Sequence, residues 1–257
     1  MTVPSKVHGN NAVKDVSFNV RKGEIVCIAG IDGNGQSEFV QGLTGLEKVS
    51  GGKILFNGQD ITKASIRDRS KMGMGHIPED RHKHGLVLDY SIEQNMVLQR
   101  YWQPEFESFG FIKSKAVREY AERLIEQYDV RSGQGPVTIT RSMSGGNQQK
   151  AIIAREIDKD PDLLVAVQLP VVLMSEPSNT FTASSLHSAT REKPFFWFLW
   201  NWMRLWMFPT VFLLCTKESW SASWIRKLFL SKNSVSTWQV QNGIRFPKKY
   251  KREVRKA

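Results

Sequence analysis

An α/β domain with a helical insertion is the fold class that this 257-residue sequence predicts, and three observations predict it. A short apolar run ends in a glycine-rich turn that opens a helix within 25–43. A long amphipathic segment fills 113–128. A second glycine turn opens another helix within 142–157, and an apolar strand follows at 161–167.

Taken in order, AVKDVSFNV (12–20) alternates apolar and polar residues and predicts a strand. RKGE turns the chain, and EIVCIA predicts a short buried strand that ends at Gly30. Residues 37–43 predict a helix, GGKILFNGQDI (51–61) a hairpin, and MGHIP (74–78) a further strand. Within 113–128, Val117, Tyr120, Leu124 and Tyr128 recur at helical spacing and predict one buried face. SMSGGNQQKAIIAREI predicts a glycine turn leading into a helix, and PDLLVAV is apolar throughout, as a strand covered on both faces requires.

Composition divides the chain at residue 168. Residues 169–257 hold 14 Lys+Arg against 4 Asp+Glu, so they carry +10 of the net +11, and residues 1–168 are nearly neutral. Seven of the eight tryptophans lie after Gln168, whereas only Gly243 of the nineteen glycines does. The basicity therefore belongs to one end and is no footprint of a nucleic-acid-binding domain. Two cysteines, Cys27 and Cys215, fit neither a disulfide framework nor a metal-ligand spacing, which points to a reducing cytoplasm. No basic segment followed by an apolar one opens the chain, so secretion is not expected.

The turn AGIDGNGQSEF (29–39) carries the first candidate chemistry. Against the phosphate-loop pattern G-x-x-x-x-G-K-[ST] it supplies Gly30, Gly33, Gly35 and Ser37 in register, and it has Gln36 where the pattern has lysine. Glycines let successive backbone N–H groups converge on an anion at a helix N-terminus, where the partial positive charge lies. An ordinary strand-to-helix turn would fit the same glycines. The second motif, Ser144-Gly145-Gly146-Asn147-Gln148-Gln149-Lys150, places a serine hydroxyl and two glycines at another helix start.

Together, in this order and spacing, the loop, GHIPEDRHKHGLVLDYSIEQNM, SGGNQQK and PDLLVAVQ resemble the ATP-binding cassette family of transport ATPases over residues 7–168. SGGNQQK is similar to the signature of the second cassette in importers for simple sugars or nucleosides. The resemblance implies a P-loop NTPase cassette: a mixed-sheet core with a helical subdomain at about 90–150, ATP and Mg2+ as cofactors, and a partner cassette. It also implies transmembrane permease subunits, a solute-binding protein acting indirectly, and a peripheral position on the cytoplasmic face of the membrane.

Residue by residue, the resemblance puts Gly30, Asp32, Gly33, Asn34, Gly35, Gln36 and Ser37 around phosphate, with Ser37 on the metal. It puts Glu79 at the position of the Q-loop glutamine and His8 where an aromatic residue stacks on adenine. Ser144, Gly145, Gly146, Asn147 and Gln148 face the partner's nucleotide. Asp80 and Arg81 fit either a surface ion pair or a transmitting contact. The resemblance also exposes departures: Val167 stands for the metal-binding aspartate, and Gln168 for the glutamate that would polarise water. With Gln36, three charged catalytic groups are missing together, so no catalytic residue is intact. This half is expected to hydrolyse ATP poorly and to complete its partner's site.

After Gln168 the family continues approximately PTRGLDVGAIEYIH, whereas this chain reads LPVVLMSEPSNTFT (169–182). One choice of codons for the family-like peptide, read with its first base dropped, encodes this sequence residue for residue. The same operation on a family-like AVLLVSLELDEVMDVSD gives PFFWFLWNWMRLWMFPT (194–210). Residues 169–257 are therefore expected to be an out-of-frame tail that is poorly ordered and exposes its apolar surface instead of packing on the sheet. The strand beside the metal-site strand is expected to be lost with the frame, leaving an incomplete cassette at 1–168. Two alternatives remain open: a non-functional truncated product, or a membrane-anchored basic P-loop protein. Against an anchor, Asn201, Arg204, Pro209 and Thr210 interrupt the aromatic run.

Overall fold

The computed structural model describes residues 3–4, 11–13, 16–21, 25–30 and 35–167, together with the backbone of 195–199, 211–215 and 220–221. His8, Asp32, Gly33, Asn34 and Gln168 lie outside the described residues.

A six-stranded sheet organises the fold. Its strands are β3 (Ile25–Gly30), β6 (Met74–Ile77), β9 (Leu163–Val167), β10 (Phe195–Leu199), β11 (Val211–Cys215) and β12 (Trp220–Ser221), in the order β12-β11-β3-β10-β9-β6. All neighbours run parallel except β12, which is antiparallel to β11. All five residues of β9 are buried, which is why LLVAV shows no alternation. Leu164 and Ala166 join one apolar cluster, and Leu163, Val165 and Val167 join another on the opposite face.

Short antiparallel pairs surround this sheet. β1 (Val3–Pro4) pairs with β2 (Asn11–Val13), β4 (Leu55–Phe56) with β5 (Gln59–Asp60), and β7 (Glu107–Ser108) with β8 (Phe111–Ile112). The strand expected over 12–20 is only partly formed. Residues 16–21 keep the alternating burial, with Val16 inside and Ser17 and Asn19 outside, but they lie in no ladder. A period of two records which side chains point inward, and it does not supply a hydrogen-bonding neighbour.

On one face, α1 (Gln36–Thr44) buries Phe39, Val40 and Leu43 against Val26 and Ile28 of β3 and Val165 of β9. Its ends are set by Gly35 and Gly45, at φ 87° and 84°, left-handed geometry that glycine adopts without strain. α2 (Ile66–Lys71) follows the hairpin, and its Arg69 donates to the backbone carbonyls of Gly42, Leu43, Thr62 and Ala64. On the other face stand α3 (Ile92–Val97), α4 (Ser114–Gln127) and α5 (Gly145–Asp158). The predicted stripe on α4 is real: Val117, Tyr120, Leu124 and Tyr128 are all buried with Ile152 and Ile153 of α5. Ser91 and Gln94 form a reciprocal capping box on α3.

One part of the tail departs from its expectation: the strand beside β9, expected to be lost with the frame, is present. β10 is inserted between β3 and β9, pairing Phe195–Leu199 with 25–29 and Phe195–Phe198 with 164–167. β11 covers the other edge of β3. Out-of-frame or not, an apolar five-residue run has the composition a doubly covered parallel strand needs, and the strand position beside β9 is filled. Among the described residues no helix is long and apolar enough to cross a membrane, and two parts of the 195–215 run are strands.

Candidate functional site

Two helix beginnings face chemistry. The first is α1. β3 ends at Gly30, and α1 starts at Gln36 behind Gly35, which carries no side-chain cap. Among the described residues nothing caps the first-turn amides of α1 with a side chain, which suits them to a ligand or to water. Gln36 is 5% exposed, and neither its Oε1 nor its Nε2 has a hydrogen-bond partner. A buried amide without partners costs about 1–3 kcal/mol, so its place at a helix start points to a polar occupant. Beside it, the Ser37 hydroxyl donates to Glu79 Oε2 at 3.0 Å. A hydroxyl and a carboxylate oxygen together are hard ligands of the kind Mg2+ takes next to phosphate. The residues present therefore fit a phosphate-bearing ligand with its metal. Val167, on β9, offers the metal nothing: it is 4% exposed and packed among apolar side chains.

The second beginning is α5. Ser144 caps it, its Oγ accepting from the Asn147 N–H at 3.4 Å and from Asn147 Nδ2 at 3.0 Å. Asn147 Oδ1 in turn accepts from the Arg131 N–H at 2.9 Å. Ser144 is exposed and Gly145 and Gly146 are half-buried, so the turn is presented outward. Gln148 points the other way. It is buried, and its Nε2 donates to the carbonyls of Thr140 and Met143 at 3.0 and 3.4 Å. Of the five signature positions, Ser144 is exposed and Gly145 and Gly146 are half-buried at the surface of the turn, while Asn147 and Gln148 hold it.

A short π-helical segment, Arg81–Gly85, ties the two beginnings together. Asp80 caps it through the N–H groups of His82 and Lys83 and does not pair with Arg81. Arg81 Nε donates to Gln148 Oε1 at 3.1 Å, and His82 Nε2 lies 3.0 Å from the same oxygen. With Gln148 oriented by its two carbonyl partners, Oε1 is the acceptor for both. The Gly85 carbonyl accepts from Arg155 Nη2 of α5 at 2.9 Å. Glu79 therefore starts, and Arg155 fastens, a segment that runs from the Ser37 hydroxyl to the α5 turn.

Sequence reasoning missed the seam beneath this segment. Arg155 and Glu156 are fully buried on α5 and paired, with Arg155 also donating to the Asn95 carbonyl. Glu156 accepts from Lys159, from Gln99 Nε2 and from the His76 N–H of β6. Burial pushes the Glu156 carboxyl up, but Lys159, Arg155 and the hydrogen bonds outweigh it and hold it at about 2. Burial pushes His76 down to about 4, with Glu156 pulling the other way. The signal was there to read: Arg155 and Glu156 follow Ile152 and Ile153 at helical spacing, so two charges sit on the face that must be buried.

Parallel strands, a glycine turn opening α1 beside β3 and a helical layer opened by a second glycine turn define a nucleotide-binding cassette. The family model of the ABC transporter matches residues 13–166, and the chain belongs to that family. ATP with Mg2+ is the cofactor pair of this family. The chain is similar to the guanosine import ATP-binding protein NupO of Bacillus subtilis, at 49% identity over 62% of this chain and 31% of that protein. It is similar to the nucleoside import ATP-binding protein NupA of Lactococcus lactis at the same identity and coverage. A putative carbohydrate transport ATP-binding protein of Mycoplasma pneumoniae is 42% identical over 61% of this chain and 27% of its own length. The matched stretch thus spans about a third of these relatives. In structure, a dimeric ATP-binding cassette in a post-hydrolysis state with ADP and phosphate matches at a TM-score of 0.68, covering 86% of this chain and 95% of that one at 17% identity.

Proposed function

We propose that this chain is the second, lysine-less cassette of an importer for simple sugars or nucleosides, and that it lends the turn at Ser144 to a nucleotide held by a partner cassette. One contrast carries the reading: the α5 turn is intact, capped and turned outward, whereas the α1 turn has a neutral buried amide in place of an ammonium. The relatives' names, nucleoside import in two and carbohydrate transport in a third, support the solute class.

At α1, the first-turn amides, Gln36 and the Ser37 hydroxyl would hold phosphate oxygens, and Ser37 with Glu79 would hold the metal. When bound, Mg2+ supplies charge neutralisation and orients the phosphoryl oxygens. Phosphoryl transfer depends on stabilising charge as it moves, and here Gln36 donates without an ion and Val167 is apolar. The own loop therefore binds ATP without turning it over well. At α5, Ser144 Oγ and the amides of Gly145 and Gly146 meet a terminal phosphate at a helix N-terminus. Closure of the two cassettes around ATP then drives permease subunits from the cytoplasmic face of the membrane. A solute-binding protein acts through the permease, and no nucleic acid takes part.

The test is ATP turnover by the full chain alone and with its partner cassette. Alone, the chain is expected to release no phosphate above buffer. With the partner, turnover is expected, and Ser144→Arg in this chain is expected to abolish it. Substantial turnover by the chain alone would overturn the assignment of roles.

The out-of-frame origin of residues 169–257 belongs to the same proposal. It is supported by the change of composition at Gln168 and by the two family-like peptides that a one-base shift converts into this sequence. Resequencing the gene across codon 168 decides it, and an unshifted locus that still encodes LPVVLM would rule it out.

A further inference from the structure

Arg81 is the residue whose surroundings the preceding roles do not explain. It is paired with no carboxylate among the described residues, and Asp80 beside it is taken up by backbone N–H groups. Its Nε lies 3.1 Å from Gln148 Oε1 and 3.2 Å from His82 Nε2, but Nη1 and Nη2 donate to nothing described. The guanidinium lies against the first residue of α5: a β-carbon at Gly145 would stand 2.8 Å from Nη2 and 3.2 Å from Cζ. The end of the Arg81 side chain is therefore packed directly against the turn. A cation at this end of a helix opposes the dipole, which favours anions there. Left alone, the arrangement is unfavourable, and an anion bound between them is attracted by both the guanidinium and the helix N-terminus.

We propose that Arg81 is a further ligand of the nucleotide offered to the Ser144 turn, its Nη groups donating to oxygens of the terminal phosphate of ATP. This rests on the reading that the turn serves a partner's nucleotide. The planar fork of a guanidinium matches two phosphate oxygens at once, and here its orientation is set in advance. Gln148 Oε1 holds Nε, and Gln148 is itself held by the carbonyls of Thr140 and Met143. The missing lysine of the α1 loop and the presence of Arg81 then belong to two different nucleotides. One loop has lost its cation, and the other half-site carries a cation from a segment outside the signature.

The proposal is tested by MgATP-dependent association of the full chain with its partner cassette, using wild type, Arg81→Gln, Arg81→Lys, Gln148→Leu and Ser144→Arg. Arg81→Gln is expected to raise the ATP concentration needed for association about tenfold and to leave the weak association in ADP unchanged. Arg81→Lys is expected to recover part of the loss, since charge returns without the fork. Gln148→Leu leaves Nε with His82 Nε2 alone and keeps the charge, so its loss is expected to be smaller than that of Arg81→Gln. If Arg81→Gln matches wild type while Ser144→Arg abolishes association, Arg81 is no ligand and the signature reading stands. If Gln148→Leu reproduces the full loss and lysine rescues nothing, Arg81 only positions Gln148 and the proposal falls. If Ser144→Arg also associates normally, the signature reading itself is wrong.

Discussion

Gln36 sets the residue-scale question, because the same buried amide is a fault in the ligand-free protein and an asset in the bound one. With both polar atoms unpartnered at 5% exposure, it carries a desolvation cost that a phosphate would relieve. Gln36→Leu is therefore expected to stabilise the ligand-free chain by about 1–2 kcal/mol, read as a higher urea midpoint, and to weaken MgATP binding. A lower midpoint would show that the amide has partners and would remove the argument for a polar occupant. Gln36→Lys is expected to do the reverse: a charge-assisted bond exceeds a neutral one by about 1–1.5 kcal/mol, so calorimetry should give about tenfold tighter MgATP binding. Val167 remains apolar in that variant, so turnover by the chain alone should stay absent. What could be read of this site in advance was residue identity: Gln36, Ser37 and the glycines follow from a pattern whose physics is local. What could not be read was Arg81, whose neighbour Gln148 is 67 positions away and whose alternative partner Asp80 is adjacent in sequence.

At the scale of elements, α5 is joined to β6 and α3 by charge as well as by apolar contact, and acid should loosen that seam in two steps. His76 is part-buried with a sealed, unpartnered Nε2, and its pKa falls to about 4 against an ordinary 6.5. Between those values the unfolded chain binds a proton that the folded one does not, so stability falls as pH drops from 6.5 to 4. At about 1.4 kcal/mol per unit this amounts to up to about 3 kcal/mol. Glu156, held at about 2 against 4.5, contributes stability that is present above 4.5 and lost as pH falls towards 2. Urea midpoints from pH 7.5 to 3.5 are expected to decline first through the histidine window, and His76→Phe should flatten that part of the curve. An equal slope in the variant would assign the loss elsewhere. Glu156→Ala leaves Arg155 buried without its partner and is expected to cost about 3–5 kcal/mol at neutral pH. The elements themselves were the legible part: α4, α5, β6 and β9 announce their buried faces by period or by unbroken apolarity. The seam was not, because charges on an inward face break the pattern by which a face is recognised, and only the partners on β6 and α3 explain them.

For the whole molecule, the decisive fact is where the tail's strands go. A one-base shift of the kind proposed has a predictable effect on strands. Every codon with T in its second place encodes Phe, Leu, Ile, Met or Val, and after the shift that T comes first, giving Phe, Leu, Ser, Tyr, Cys or Trp. An apolar strand such as VLLVS thus becomes FFWFL, bulkier and more aromatic but still apolar. That is why an expectation based on loss of selected pattern failed for β10: the pattern of a doubly buried strand is mere apolarity, and apolarity survives the shift. The alternating elements and polar turns do not survive it, since their order depends on the frame. β3 has β10 on one side and β11 on the other, and β9 has β10 on its inner side. A fragment ending at residue 168 would leave both edges of β3 unpaired. Such a fragment is expected to lose the cooperative urea transition of the full chain and to sediment as aggregate, although it contains every candidate nucleotide contact. A fragment that unfolds cooperatively at the midpoint of the full chain would mean that β10 and β11 contribute nothing to the sheet. The cassette would then end where its family resemblance ends.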